Sequence, residues 1–169
     1  MESTAERLIV ALDSSSLQDT LRLAKQLQGL IRYAKIGSIL FTAAGPLAIQ
    51  RLRALGLEVM LDLKFHDIPS TVEKSCCAAV RHRVWMLTVH ASGQQDMLKA
   101  AVAGARHEAD RLGLRRPRVI GVTVLTSVES DQRRAPTNLV VALATRAKRA
   151  GLDGVVASAA EAAPREPSQ

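Results

Sequence analysis

The sequence predicts an α/β fold made of repeated strand–helix units on a parallel sheet. Short apolar runs rich in β-branched residues alternate with longer amphipathic ones along most of the chain, the pattern of βα units. Glycine and proline punctuate the joints, as at Gly45-Pro46, Gly56 and Gly151, where proline suits the first helical turn and glycine the end of a helix. Charged and polar side chains gather at the C-terminal ends of the apolar runs, the end where parallel α/β architectures build their sites. Asp13, Lys35, Asp62, Lys64, His90 and Thr126 all fall at or near such ends.

Taken in order, the first strand is expected over Leu8 to Leu12, and Leu17, Leu21, Ala24, Leu27 and Leu30 then recur at helical spacing, laying one apolar stripe on the sheet. Tyr33 to Gly37 is a short second strand. Gly45-Pro46 opens a helix carrying Leu47, Ile49, Leu52 and Leu55, which Gly56 ends. The third strand is expected over Glu58 to Leu63. Ser70-Thr71-Val72-Glu73 has capping-box spacing, which predicts a helix from Ser70 to about His82. Trp85 to His90 is the fourth strand, and Met97, Ala101, Ala105 and Leu112 mark a helix from about Gln94 to Leu112. Val119 to Leu125 is the fifth strand; the polar loop Ser127 to Thr137 leads to a helix ending at Gly151, and Gly154 to Ala157 is the sixth strand. Ser158-Ala159-Ala160-Glu161 announces a further helix that Pro164 interrupts. The tail 164–169 has the composition of a disordered end, so the reading is one domain over 1–163 with no interdomain linker.

The formal charge of +7 over 169 residues favours anionic partners. The arginines are scattered through helical segments instead of forming a block, and aromatic residues make up only 2% of the chain, too few for a base-stacking platform, which argues against nucleic acid. Adjacent Cys76 and Cys77 poorly suit disulfide geometry and read as reduced thiols, in keeping with the cytoplasm. The N-terminus carries mixed charges with no signal region, and no stretch is long and apolar enough for a membrane span. A metal site is not expected, since no His, Cys or carboxylate set has ligand spacing.

Asp62-Leu63-Lys64-Phe65-His66-Asp67-Ile68-Pro69 is the stretch richest in chemistry. In an extended strand, residues two apart share a face, so Asp62 and Lys64 are expected to project together. Asp67 falls beyond the strand, in a turn that Pro69 helps define. A lysine between carboxylates stays charged and oriented, and can deliver a proton to a carbon developing negative charge.

Six blocks together resemble the orotidine 5'-phosphate decarboxylase family. They are Leu8 to Asp13, Lys35-Ile36-Gly37, Asp62 to Pro69, Leu87-Thr88-Val89-His90-Ala91, Val122 to Ser127 and Gly151 to Val156. The resemblance implies a TIM (β/α)8 barrel, here incomplete with about six βα units, since a whole barrel typically takes about 250 residues. It implies decarboxylation of orotidine 5'-phosphate to uridine 5'-phosphate in de novo pyrimidine and UMP biosynthesis, without a cofactor. By motif, Lys64 is the proton donor to C6 of the pyrimidine and Asp62 lies beside the substrate carboxylate. Lys35 completes an alternating Lys-Asp-Lys-Asp chain, Asp13 hydrogen-bonds the ribose, and Thr126 lies near the ring. Asp67 resembles the aspartate that reaches the neighbouring subunit's site, implying a homodimer. His66 and His90 lie nearby without an assigned role. The family continues into two further strands, a glycine-rich phosphate grip and an arginine, so the expectation is a C-terminally truncated chain of reduced catalytic power. The alternatives are a noncatalytic truncated remnant and a metal-dependent sugar-phosphate decarboxylase sharing D-x-K-x-x-D.

Overall fold

The computed structural model describes residues 6–124 and 137–158. Thr126, the loop from Ser127 up to residue 136, the helix announced at Ser158 and the tail 164–169 lie outside them. Six strands, β1 (Ile9–Ala11), β2 (Tyr33–Gly37), β3 (Glu58–Phe65), β4 (Met86–His90), β5 (Arg118–Val122) and β6 (Gly154–Val156), alternate with helices. These are α1 (Leu17–Gln26), α2 (Ser38–Ala44), α3 (Pro46–Ala54), α4 (Pro69–Arg81), α5 (Gln95–Leu112) and α6 (Thr137–Ala150). The strands pair in chain order, every pair parallel, and form a half-barrel.

Alternation along the strands separates two faces. Ala34, Ile36, Val59, Leu61, Leu87, Val89 and Val119 join the large core shared with the helices, all at 2% exposure or less. Burying each such valine, leucine or isoleucine is worth roughly 1.5–3 kcal/mol. Met60, Trp85, Met86 and Ile120 form a smaller cluster with Tyr33, whose ring stacks on Trp85 at 4.0 Å between centroids. Lys35, Asp62 and Thr88 have the strand parity of this second set, so the sheet itself delivers polar groups to one face.

Several expected boundaries shift for local reasons. The stripe after β1 is shorter than expected: α1 ends at Gln26 with Leu27 as its C-cap, and Leu30 is 67% exposed in the turn that follows. Helix α2 was not anticipated, because Ser38–Ala44 is too evenly apolar to show a helical stripe. The capping box at Ser70 does not form. Pro69 occupies the first helical position and Ile68 is the N-cap; Thr71 and Val72 donate their amides to the Ile68 carbonyl at 3.1 and 3.2 Å, so Ser70 is already inside the helix. Cys76 and Cys77 are free thiols on α4, as expected, and burial pushes the Cys76 thiol up to about 12. Among the described residues no helix is long and apolar enough to cross a membrane.

Helices α4 and α5 pack unusually closely. A Cβ on Gly104 would stand 2.6 Å from the Glu73 carbonyl oxygen, so a side chain there would force the helices apart. Beside this contact the Glu108 carboxylate, 3% exposed, accepts from Arg81 Nε at 2.5 Å and from Arg111 at 2.7 and 2.9 Å. The hydrogen bonds from Arg111 and Arg81 hold its carboxyl at about 2, against an ordinary 4.5.

A folded-state pKa below the unfolded value means that the ionised Glu108 stabilises the fold fully above about pH 4.5 and loses that effect as pH falls toward about 2. Thermal unfolding across that window should show a shallower acid limb for Glu108→Gln than for the parent; parallel limbs would show that Glu108 is not the group responsible. Arg83 adopts φ 56° in the turn before β4, a left-handed conformation that costs a non-glycine residue about 1–2 kcal/mol. Glycine gives back about 0.4–1 kcal/mol through its freer unfolded chain, so Arg83→Gly should stabilise by about 0.5–1 kcal/mol, read as a raised urea midpoint with unchanged slope.

Candidate active site

The site is built on a break in register. Leu61 pairs with Leu87 and Phe65 with Val89, so β3 advances four residues while β4 advances two, and Asp62-Leu63-Lys64 bulges opposite Thr88. The bulge is absorbed at Lys64, which takes φ 50°, an uncommon conformation for a side chain of this kind. Simple strand alternation therefore placed Asp62 and Lys64 together for an incomplete reason. They do meet, at 2.9 Å between Lys64 Nζ and Asp62 Oδ2, but through a strand that has left regular geometry.

Around that pair the structure assembles an alternating chain of charge. Lys35 Nζ donates to both carboxylate oxygens of Asp13 at 3.1 Å and stands 3.5 Å from Asp62 Oδ2. The order Asp13–Lys35–Asp62–Lys64 is thus continuous within one chain. Gly37, one step past Lys35 on the same face, leaves room for it: a Cβ there would lie 2.7 Å from Asp13 Oδ1. The far carboxylate is Asp13. Asp67 stands outside the chain, exposed, with Oδ1 accepting from the Ile68 amide at 2.6 Å.

Asp62 is the pivot and the most enclosed member, its side chain 11% exposed. Burial pushes its carboxyl up, yet hydrogen bonds from Lys64 and Thr88 and the charges of Lys64 and Lys35 outweigh burial and hold it below its ordinary 3.8. Two negative and two positive groups leave the chain balanced, with an ammonium proton of Lys64 available at the edge. Lys64, His66, Asp67 and His90 line a cavity of about 440 Å³, and a neighbouring one of about 550 Å³ is lined by His66, Asp67, Pro69, Gln94 and Met97. The His66 and His90 rings lie 5.4 Å apart; burial, then the charges of His66 and Lys64, lower His90. No group of three His, Cys, Asp or Glu side chains among the described residues could hold a metal ion.

Sequence reasoning missed Thr88. It is 0% exposed, donates to Asp62 Oδ1 at 2.9 Å and accepts from the Lys64 amide at 3.0 Å. A lone polar residue inside the run Leu87-Thr88-Val89 was the available signal, since a buried hydroxyl needs partners. Thr126 lies outside the described residues.

Known proteins resemble this chain over most of its length. The family model described as orotidine 5'-phosphate decarboxylase / HUMPS family matches residues 6–168. A protein of Teredinibacter turnerae named orotidine 5'-phosphate decarboxylase is 44% identical over 168 residues, covering 96% of this chain and 70% of that protein. One of Vibrio cholerae with the same name is 45% identical, covering 92% and 68%. A crystal structure of orotidine 5'-phosphate decarboxylase from Lactobacillus acidophilus superposes with a TM-score of 0.79 at 34% identity, covering 89% of this chain and 70% of that one. With the family model spanning nearly every residue and the relatives matching over more than two thirds of their own length, this chain belongs to the orotidine 5'-phosphate decarboxylase / HUMPS family.

Proposed function

We propose that this chain decarboxylates orotidine 5'-phosphate to uridine 5'-phosphate, a step of pyrimidine synthesis, with Lys64 as the acid and Asp62 as its partner. The observation that carries the reading is the 2.9 Å contact of Lys64 Nζ with a half-buried, ionised Asp62 at the mouth of a cavity. Membership of the family supports the substrate.

The step balances without a cofactor. The bond from C6 of the pyrimidine to its carboxyl carbon breaks, carbon dioxide leaves, and the electron pair remains on C6. A proton from Lys64 Nζ forms the new C6–H bond, and Lys64 recovers a proton from water. Asp62 beside the substrate carboxylate makes a repulsive contact that departure of carbon dioxide relieves. The two ammonium groups then face developing negative charge and stabilise it without reorganising. Lys35 holds Asp62 from the other side, and Asp13, the more exposed end of the chain, is set to hydrogen-bond the ribose. Thr126 is carried by resemblance alone as a contact near the ring.

Asp67 has the opposite character. It lines two open cavities and its carboxylate accepts from the neighbouring Ile68 amide, as suits a residue that completes the site of a second copy. A homodimer with shared sites is the assembly this reading requires.

Lys64→Ala should cut turnover by at least about a hundredfold, the lower range for loss of a general acid, while the far-ultraviolet circular dichroism stays as in the parent. Retained turnover would sink the assignment. Loss of activity on chelation, restored by a divalent cation, would instead favour the metal-dependent sugar-phosphate branch of the family. For the shared site, mixing Lys64→Ala with Asp67→Ala chains should regenerate activity in heterodimers, because one site of each carries both intact residues. Confirmed heterodimers without activity would count against it.

A further inference from the structure

We propose that Thr88 is a positioning residue of this site, whose single hydroxyl fixes both the carboxylate plane of Asp62 and the backbone turn that aims Lys64. The consequence for turnover rests on the decarboxylase reading; the positional claim stands on geometry alone. Thr88 lies on β4 between Leu87 and Val89, all three at 0% exposure, so no water competes for its hydroxyl.

The direction of each hydrogen bond is fixed by chemistry. A backbone N–H can only donate, so Thr88 Oγ1 accepts from Lys64 N at 3.0 Å. An ionised carboxylate can only accept, so the one hydroxyl proton goes to Asp62 Oδ1 at 2.9 Å. The two oxygens of Asp62 are thereby divided: Oδ1 is held by Thr88, while Oδ2 faces Lys64 at 2.9 Å and Lys35 at 3.5 Å. Rotation about the soft terminal torsion of aspartate would exchange them, and the Thr88 bond prevents it. The other bond acts on the bulge. Lys64 N–H sits where β3 has lost its register with β4, and Thr88 supplies the acceptor that the strand ladder no longer provides. One side chain thus satisfies the donor that the left-handed turn exposes and orients the anion that this turn brings near. The charged and titratable groups around Asp62 are Lys35 from β2, Lys64 from β3 and His90 from β4, with Asp13 and His66 behind them; the structure gives both roles to Thr88.

The test compares Thr88→Val, which keeps the shape and removes the hydroxyl, with Thr88→Ser, which keeps the hydroxyl, in the 169-residue chain. In Thr88→Val the Asp62 carboxyl carbon should titrate at higher pH by NMR, and the Lys64 amide should exchange at least about tenfold faster while Leu87 and Val89 stay protected. Turnover number should fall about tenfold to a hundredfold, the scale for a misplaced reacting group, with KM less affected. Thr88→Ser should restore all of these. Unchanged Asp62 titration and Lys64 exchange in Thr88→Val, or a Thr88→Ser chain as defective as Thr88→Val, would overturn the proposal. If Thr88→Val does not fold, Thr88→Cys replaces it, a thiol of similar size and weak hydrogen bonding: Asp62 titrating as in the parent then overturns the proposal, and titrating higher supports it. The titration and exchange need no turnover, so they decide the positional claim even if Lys64→Ala has already refuted the decarboxylase reading.

Discussion

The break in register between β3 and β4 is the constraint on which the site depends. Two extra residues in β3 must be accommodated without opening the sheet, and the chain does so by placing Lys64 in the left-handed region. Such a conformation costs of order 1–3 kcal/mol when nothing compensates it. Here the core on the other face holds both strands: Leu61, Leu87 and Val89 are all buried at 2% exposure or less, and sliding β4 by the two residues that regular pairing requires would keep each side chain on its face but carry this set about 7 Å out of its packing positions. The stable part of the sheet therefore maintains the strained part.

Electrostatics reinforces the same arrangement. A carboxylate as enclosed as Asp62 would ordinarily drift toward its neutral form, and its partners reverse that drift. Lys64 is correspondingly kept within hydrogen-bonding distance of a permanent anion, which limits its rotamers and presents its proton toward the cavity. Alternation of sign matters here. Lys35 stands between Asp13 and Asp62, so neither lysine faces the other without an intervening carboxylate. The half-barrel contributes by bringing β1, β2 and β3 side by side in chain order, which places residues far apart in sequence at one level of the sheet.

What was legible in the sequence follows from how local each signal is. Gly45-Pro46 announces α3 because both residues act through their own backbone, and the structure has Pro46 at the first helical position. Tyr33 to Gly37 was read residue for residue. The capping-box reading at Ser70 failed because a stronger local signal, Pro69, already fixed the start of α4. Leu30 misled because periodicity alone does not say where a helix stops. At the site, Asp13, Lys35, Asp62 and Lys64 were all legible as polar residues at strand ends, and the structure joins them. Thr88 was not, since its importance arises from which residue of β3 lies opposite it, and register between strands is invisible in a single run of apolar residues.

The bulge and the charge chain are coupled, which explains why the site spans an irregular piece of strand. In a regular strand, two residues on one face lie nearly 7 Å apart along the backbone, by a rise of about 3.3 Å per residue, a gap that a lysine arm can span but that leaves its direction to its rotamers. Here Lys64 stands in a left-handed turn inside the bulge, and its ammonium meets Asp62 at 2.9 Å. A flexible loop could bring the same two groups together, but it would forfeit the fixed orientation that makes a proton donor effective. Embedding the turn between paired residues on both sides, Leu61 before it and Phe65 after it, keeps the irregularity while denying it freedom. The strain at Lys64 therefore belongs to the site itself: it falls on the residue that meets Asp62, and the sheet on either side holds it in place.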